Sequence, residues 1–175
     1  MPTMDFAGVT NLSNTSSAIS LMGTTFSINF GLLIHMQNPN ILSIDLSAIN
    51  ASAYYPLPNN PTSRTPIGGG YLDYEHVSPK SNYNFTFPFT MVYNPTLDTD
   101  QMVLNSIAEK CGLLGDKPQD ITIDYDIHVT ARVLFITVQP TISSSATMPC
   151  PLQSSIIPGL NNQTFQDVLG NNASD

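Results

Sequence analysis

The stretch HMQNPNILSIDLSAINASAYYPLP, residues 35–58, places an Asn-Pro-Asn sequence between two segments that read as β-strands. Pro39 fixes its own φ and disfavours the helical region for Asn38, and asparagine side chains bind the backbone groups of turns. The stretch therefore predicts a strand, a tight connection and a second strand. A second Asn-Pro, at Asn94-Pro95, ends a later strand in the same way and leads into a helix.

Long segments of the chain alternate between apolar and polar residues, which is the pattern of half-buried β-strands. In one of them the apolar residues change from even-numbered positions, ending at Ala48, to odd-numbered positions from Ile49, and this predicts a β-bulge. Pro88 in another predicts an edge strand or a bulge, because proline donates no backbone hydrogen bond. The long segments are residues 24–36, 41–55, 83–93 and 121–133, and shorter candidates lie at 6–10, 65–72 and 143–148.

Residues 97–115 have the period of an amphipathic helix instead. Asp98 or Thr99 is the predicted N-cap, and Gly112 or Gly115 is the predicted end. The apolar stripe is formed by Val103, Leu104, Ile107, Ala108 and Cys111. The chain of 175 residues is thus predicted to form one all-β domain with one α-helix over residues 1–150, followed by a polar C-terminal extension at residues 151–175.

Two further patterns carry structural expectations. Residues 133–138 are apolar on both faces, which predicts a strand end that is covered on both sides. Ile67-Gly68-Gly69-Gly70 has no following Gly-Lys-Ser/Thr, so it indicates a flexible turn and not a phosphate loop.

The charge of the chain excludes several classes of partner. Thirteen acidic residues against five lysines and arginines give a formal net charge of −8. No basic patch can be built from that set, so we expect no binding to nucleic acid and none to an anionic membrane surface.

Six Asn-X-Ser/Thr sequons and two cysteines bear on the compartment. The sequons predict N-linked glycans and an extracytoplasmic location, unless they arise by chance in a chain rich in Asn and Ser. The cysteines, Cys111 and Cys150, are either two buried thiols or one disulfide that closes a loop of about 40 residues. The sequon asparagines are Asn11, Asn14, Asn50, Asn84, Asn162 and Asn172.

No constellation of catalytic or metal-binding residues stands out. The three histidines, His35, His76 and His128, are far apart in sequence, and there is no Gly-X-Ser-X-Gly. Asp120, Asp124 and Asp126 indicate a solvated strand face, with calcium as the alternative. We therefore expect a protein that is not an enzyme and that uses no metal or cofactor.

The ordered set of motifs resembles a known family. It consists of a long alternating strand ending in Asn-Pro-Asn, a strand carrying Tyr54-Tyr55, and a strand ending in Asn-Pro before a single helix. This set resembles the late embryogenesis abundant group 2 domain, also called the water stress and hypersensitive response (WHy) domain, over residues 6–151. The resemblance implies an immunoglobulin/fibronectin-like β-sandwich of about seven strands with one α-helix.

The resemblance also implies a setting, which is that of a fungal-type, membrane-anchored member of the family. A single N-terminal transmembrane helix would precede this sequence, and the domain would lie at the cell surface or in a vacuolar or lysosomal lumen. Cys111 and Cys150 would match a cysteine pair found late in lysosomal members of the superfamily.

Two functions from different classes follow. The first is lipid binding or transfer, with an acyl chain held between the sheets, as proposed for this superfamily. The second is a glycosylated surface or structural domain that acts through protein contacts or homo-oligomers. In that case residues 24–36, 82–93 and 133–138 would serve as free strand edges.

Overall fold

The computed structural model describes residues 2–12, 19–22, 25–57, 60–98 and 100–150. These residues form nine β-strands and one α-helix, so the expected all-β class with a single helix is confirmed. The extension at 151–175 lies outside the described residues. In chain order the elements are β1 (Thr3–Thr10), β2 (Ile19–Met22), β3 (Thr25–Asn38), β4 (Ile44–Leu57), β5 (Asn60–Val77), β6 (Ser81–Tyr93), α1 (Met102–Lys110), β7 (Asp120–Val133), β8 (Ile136–Val138) and β9 (Thr141–Pro149).

The nine strands belong to one antiparallel sheet that curls until it is nearly closed. Its strand order is β1-β3-β6-β5-β4-β7-β8, with β2 also paired to β3 and β9 also paired to β7. Because successive side chains of a strand point to opposite faces, the curled sheet turns one apolar face of each long strand inward. We call the gap between the terminal strands β1 and β9 the seam.

The core lies inside the curled sheet, and aromatic residues of β3 and β6 supply much of it. Phe30 and Phe89 are cross-strand neighbours with ring centroids 5.3 Å apart. Such a pair adds about 0.5–1.5 kcal/mol to the contribution of its buried area. The predicted inward faces of both strands are therefore confirmed by burial of Phe26, Ile28, Phe30, Met36, Phe87, Phe89, Met91 and Tyr93.

Asn38, the first residue of Asn-Pro-Asn, is fully buried at the end of β3. Its Nδ2 donates to the carbonyl oxygens of Leu42 and Ser78, each at 3.0 Å. Its Oδ1 accepts from the backbone N–H and from Nδ2 of Asn40, at 3.1 and 3.0 Å. One side-chain amide thus closes the β3–β4 connection and joins it to the β5–β6 connection, which confirms the role expected of asparagine in this turn.

The predicted β-bulge lies in β4. Between the pairs that Ser47 and Asn50 make with β7, three steps along β4 match two along β7. Ala48 has a φ of +48° and is exposed, whereas Ile49 is buried. The change of apolar phase therefore occurs at Ala48 itself, which turns outward although the even-numbered pattern had placed it with the inward residues.

The glycine triplet lies inside β5, so its prediction as a flexible turn is wrong. β5 pairs with β4 along most of its length but with β6 only at Gly68, Gly69 and Gly70. A Cβ on Gly70 would collide with the carbonyl oxygen of Pro88, and one on Gly69 would lie 2.5 Å from that of Ala51. Glycine is needed because two backbones approach β5 from opposite sides.

Two further expectations for strand environment are corrected. Residues 133–138 are not covered on both faces, because Leu134 and Phe135 form the turn between β7 and β8 and the side chains of β8 are exposed. The apolar run therefore belongs to an exposed hairpin and not to a buried strand. The expectation that β3 is a free edge is wrong, because β3 lies between β1 and β6. β6 is unpaired only on its β5 side outside residues 89–91, and Pro88 lies immediately before that short pairing.

Helix α1 is shorter than the predicted segment 97–115, and its N-terminal carboxylate comes from outside the helix. Gln101 precedes the helix with a φ of +53°. The buried Asp98 carboxylate accepts from the backbone N–H groups of Val103 at 3.1 Å and Leu104 at 3.0 Å. Asp98 therefore satisfies the first turn as an N-cap would, although the residue at the helix boundary is Gln101.

The other tie between α1 and the sheet comes from the tyrosine pair. Tyr55 is buried and its hydroxyl lies 2.8 Å from Oγ of Ser106 in α1. Tyr54 points to the opposite face, where the guanidinium of Arg64 lies 4.3 Å from its ring centroid.

Near the helix start, burial and then the Asp98 charge raise the pKa of Tyr93 to about 12.

Replacing Asn38 with alanine should lower the free energy of unfolding by about 2–3 kcal/mol, because a fully buried amide and its four hydrogen bonds are lost. Chemical denaturation of the purified variant measures this. Asn94→Ala is the matched control, since Asn94 Oδ1 accepts only from Thr96, at 3.0 Å from its N–H and 2.7 Å from its hydroxyl. Its cost should stay near 1 kcal/mol. Equal losses in the two variants would contradict a bridging role for Asn38.

Candidate apolar binding site

An apolar cavity of about 110 Å³ lies inside the sheet beside the seam. Its lining comes from both terminal strands and from the inward faces of β3, β4, β6 and β7. Asp5, Ser52 and Tyr125 are the polar residues of the lining, and the other lining residues are apolar. These are Met4, Phe6, Leu32, Ile34, Ile49, Ala51, Ala53, Phe85, Phe87, Phe89, Ile123, Ile127, Ala146 and Met148.

The cavity exists because small side chains occupy inward positions opposite large ones. Ala51 and Ala53 of β4 and Ala146 of β9 all line it. Because the seam is not closed by a ladder of hydrogen bonds among the described residues, no backbone pairing draws β1 and β9 together to fill the space. A void in a protein interior persists only where the surrounding structure cannot collapse onto it.

The opposite end of the interior is packed more tightly. Between α1 and the sheet lies a void of only about 10 Å³, lined among others by Ile67, Leu104 and Ile107. The void under the helix is therefore much smaller than the cavity beside the seam.

The size and lining of the larger cavity define what it can hold. An apolar cavity of about 150 Å³ stays dry and accepts benzene, whereas drug-sized ligands occupy roughly 300–1,000 Å³. The 110 Å³ here therefore suits a short apolar segment and not a whole lipid. It offers no buried pair of titratable groups with which to perform acid-base chemistry.

Two of the three aspartates considered as a calcium site, Asp124 and Asp126, interact with an arginine instead. Arg64 lies 3.6 Å from an Asp124 oxygen and 3.3 Å from an Asp126 oxygen. A hydrogen bond from Ser143, followed by the Arg64 contact, lowers the pKa of Asp126. Within the described ranges, no three His, Cys, Asp or Glu side chains come together in a group that would hold a metal ion.

The three histidines lie apart on the outer surface of the sheet. His76 Nδ1 is 2.7 Å from Asp45, and a hydrogen bond from Tyr74, followed by that from His76, lowers the pKa of Asp45. His35 Nδ1 is 2.7 Å from Oδ1 of Asn84. His128 lies 2.9 Å from the hydroxyl of Thr141. Each ring has a structural partner and none faces the cavity.

Cys111 and Cys150 form a disulfide with their Cα atoms 5.3 Å apart. Of the two alternatives for the cysteines, the structure therefore has the bonded pair. Cys111 follows α1 and Cys150 follows β9, and both are buried. The bond fixes the C-terminal end of the helix to the end of a strand that borders the seam.

The described sequon asparagines are all exposed. Asn11 follows β1, Asn50 lies in β4, and Asn84 lies in β6. The contact of Asn84 with His35 uses Oδ1, so it leaves Nδ2, the atom that carries an N-linked glycan, outside that bond. The remaining sequons, Asn14, Asn162 and Asn172, lie outside the described residues.

Sequence reasoning expected an acyl-chain site between the sheets but assigned to it none of the residues that line the cavity. The strongest signal for the cavity in the sequence was the pair of small residues on the inward face of β4, Ala51 and Ala53, which line the cavity together with the phenylalanines of β6.

A helix with the length and apolar content needed to cross a bilayer does not occur among the described residues.

Comparisons with known proteins complete the description. No family model and no curated protein matches the chain. A protein from Archaeoglobus fulgidus of known structure is 13% identical, with a TM-score of 0.44, and the match covers 83% of this chain and 97% of that one. AT1g01470 from Arabidopsis thaliana is 15% identical, with a TM-score of 0.44, covering 84% of this chain and 83% of that one. A Bordetella pertussis protein described as ApaA is 7% identical, with a TM-score of 0.40, covering 87% and 96%. Likenesses at this level show neither the family nor the function.

Reducing the disulfide should lower the free energy of unfolding by about 3–4 kcal/mol, because the unfolded chain then regains the freedom of a loop whose ends are 39 residues apart. Guanidinium titrations with and without a phosphine reductant measure the difference. The double variant Cys111→Ala/Cys150→Ala provides the control and should not respond to the reductant. An oxidised protein no more stable than this variant would contradict the expectation.

Proposed function

We propose that this chain is a non-enzymatic module that binds the end of an apolar chain, such as a lipid acyl chain, in the cavity beside the seam. The cavity of about 110 Å³ with its predominantly apolar lining is the observation that carries the proposal. The end of an acyl chain would exchange water for the aromatic and aliphatic side chains of β3, β6 and β7, at about 0.8 kcal/mol for each buried CH₂.

The volume sets the mode of binding. A complete lipid exceeds the cavity, so the terminal segment would enter while the remaining chain and the head group stay along the seam or outside. Met4, at the start of β1, lines the cavity and is 40% exposed, so this part of the lining is open to solvent. A single bound segment of this kind is suited to shielding or passing on a lipid.

The proposal includes membership of the late embryogenesis abundant group 2 domains, with the sandwich topology of that family. The Asn-Pro-Asn connection, the tyrosine pair with one member bound to the helix, and the helix after the second Asn-Pro support it. The disulfide and the exposed sequon asparagines support an extracytoplasmic domain. Anchoring by an N-terminal transmembrane helix and glycosylation belong to the same proposal.

Filling the cavity tests the binding site. Ala51→Leu places additional carbons in the cavity, and it should weaken binding of the fluorescent fatty acid cis-parinaric acid by about tenfold or more. Its melting temperature should not fall, because the new side chain enters empty space. Fluorescence titration and thermal unfolding measure the two effects.

Ala131→Leu is the matched control. Ala131 is also a partly buried alanine that packs against the core, but it does not line the cavity. Its affinity for the probe should stay within about twofold of that of the original chain. If both variants bind like the original chain, or if the original chain does not bind, the cavity is not the site.

Production in a eukaryotic secretory host tests the compartment. Intact-mass measurement under non-reducing conditions should show a disulfide-bonded glycoprotein that loses mass on enzymatic deglycosylation. Asn84→Gln should remove one glycan, because Asn84 is exposed near the start of β6. Organic extraction of the same sample would identify any lipid that co-purifies. A chain without glycans at its exposed sequons would contradict the extracytoplasmic part of the proposal.

A further inference from the structure

Large apolar side chains are exposed together at one end of the domain. Arg132 of β7 pairs with Asp45 of β4, so the residues that follow Arg132 and those that precede Asp45 leave the sheet at the same end. The β5–β6 connection leaves there too, because Ile44 pairs with Val77. We call the connections 39–43, 78–80 and 134–135, together with β8, the apolar tip. Its exposed apolar residues are Ile41, Leu42, Leu134, Phe135, Ile136 and Val138.

The turn at the centre of the apolar tip lacks the usual turn residues. Two-residue hairpin turns favour Gly, Asn or Asp, since they require left-handed backbone conformations. Here Leu134 adopts a φ of +56°, and Phe135 beside it is 87% exposed. Two large apolar side chains therefore project beyond the sheet at a position where local structure alone would select small polar ones. Arg132 supports this turn by donating from Nε to the Leu134 carbonyl at 3.0 Å.

Charge at the apolar tip differs from that of the whole chain. The connections 39–43, 78–80 and 134–135 contain no acidic residue, although the chain has thirteen. Lys80 lies in one of them and Arg132 lies beside another, so two of the five cations are found here. The nearest acid in the pairing, Asp45, is hydrogen bonded to Tyr74 and His76. The expectation drawn from the net charge of −8 concerned anionic membrane surfaces, whereas these three connections carry no negative charge of their own.

We propose that the apolar tip inserts into the interface of a zwitterionic phospholipid bilayer. Separate connections that project beyond a sheet fit a deformable lipid surface, where each side chain enters between head groups. Lys80 and Arg132 complement the phosphate groups at the depth just above the inserted side chains. The inference uses residues that do not line the cavity, so it does not depend on what the cavity binds.

Vesicles of phosphatidylcholine test the inference with the full chain. The original chain should float with the vesicles, and Phe135→Asp should weaken that binding by about tenfold or more. Leu114→Asp is the matched control, because Leu114 is 51% exposed on the connection after α1, at the opposite end of the sheet. Its binding should stay within about twofold of the original.

Tryptophan fluorescence supplies a second readout, because the chain contains no tryptophan. Phe135→Trp should shift its emission to the blue when vesicles are added, and Leu114→Trp should not. Absence of vesicle binding by the original chain, equal binding by the two aspartate variants, or equal shifts in the two tryptophan variants would overturn the inference. So would a dimer in light scattering that Phe135→Asp converts to a monomer without any vesicle binding, since the tip would then be a contact between copies.

The two proposals fail separately. Phe135→Asp should bind cis-parinaric acid like the original chain, and Ala51→Leu should bind vesicles like the original chain. Loss of fatty-acid binding by Phe135→Asp with an unchanged near-ultraviolet circular dichroism spectrum would overturn the separation of the apolar tip from the cavity. Because Phe135 is almost fully exposed, its replacement should leave the fold intact.

Discussion

The buried side chain of Asn38 holds together the end of the sheet that carries the β3–β4 and β5–β6 connections. Its amide meets four hydrogen-bonding groups, of which three belong to the backbone, and these groups come from two connections that are far apart in sequence. A backbone bond from Lys80 N–H to the Asn40 carbonyl at 2.9 Å adds a second link between the same connections. Polar groups buried in a protein interior are costly unless they are paired, so this network specifies one arrangement of β3, β4, β5 and β6.

At the other end, the helix and the disulfide play the corresponding part. The Asp98 carboxylate accepts hydrogen bonds from two backbone N–H groups in the first turn of α1. The Tyr55 hydroxyl joins β4 to the helix, and the Cys111–Cys150 disulfide joins the helix to the end of β9. These bonds hold the helix against one end of the sheet. Among the described residues no backbone ladder joins β1 to β9, and the cavity of about 110 Å³ lies beside that gap. A fold that is closed at both ends but not along one side is suited to admitting an apolar chain from the side.

The distribution of exposed apolar residues follows the same geometry. The apolar tip lies at the Asn38 end, which is also the end from which β1 starts, because Thr3 pairs with Gln37. Met4 of the cavity lining is therefore close in register to that end. A domain that meets a bilayer with its apolar tip would bring the seam and its cavity near the lipids, which gives the two proposals one physical setting while leaving them separately testable.

The sequence by itself determined the long strands, the bulge and the helix, because each is written in a local pattern, whereas β2 and β8 were not predicted. Alternation predicted β3, β6 and β7, the phase change at Ala48 predicted the bulge, and Asn-Pro-Asn predicted the connection that Asn38 stabilises. Only the tertiary structure decided the role of the glycine triplet, since close approach of β4 and β6 to β5 involves residues distant in sequence. It also decided the partner of Asp124 and Asp126, the cavity, and the exposure of Phe135. A two-sided apolar run has the same pattern in a buried strand and in an exposed hairpin, and long-range pairing alone distinguishes them.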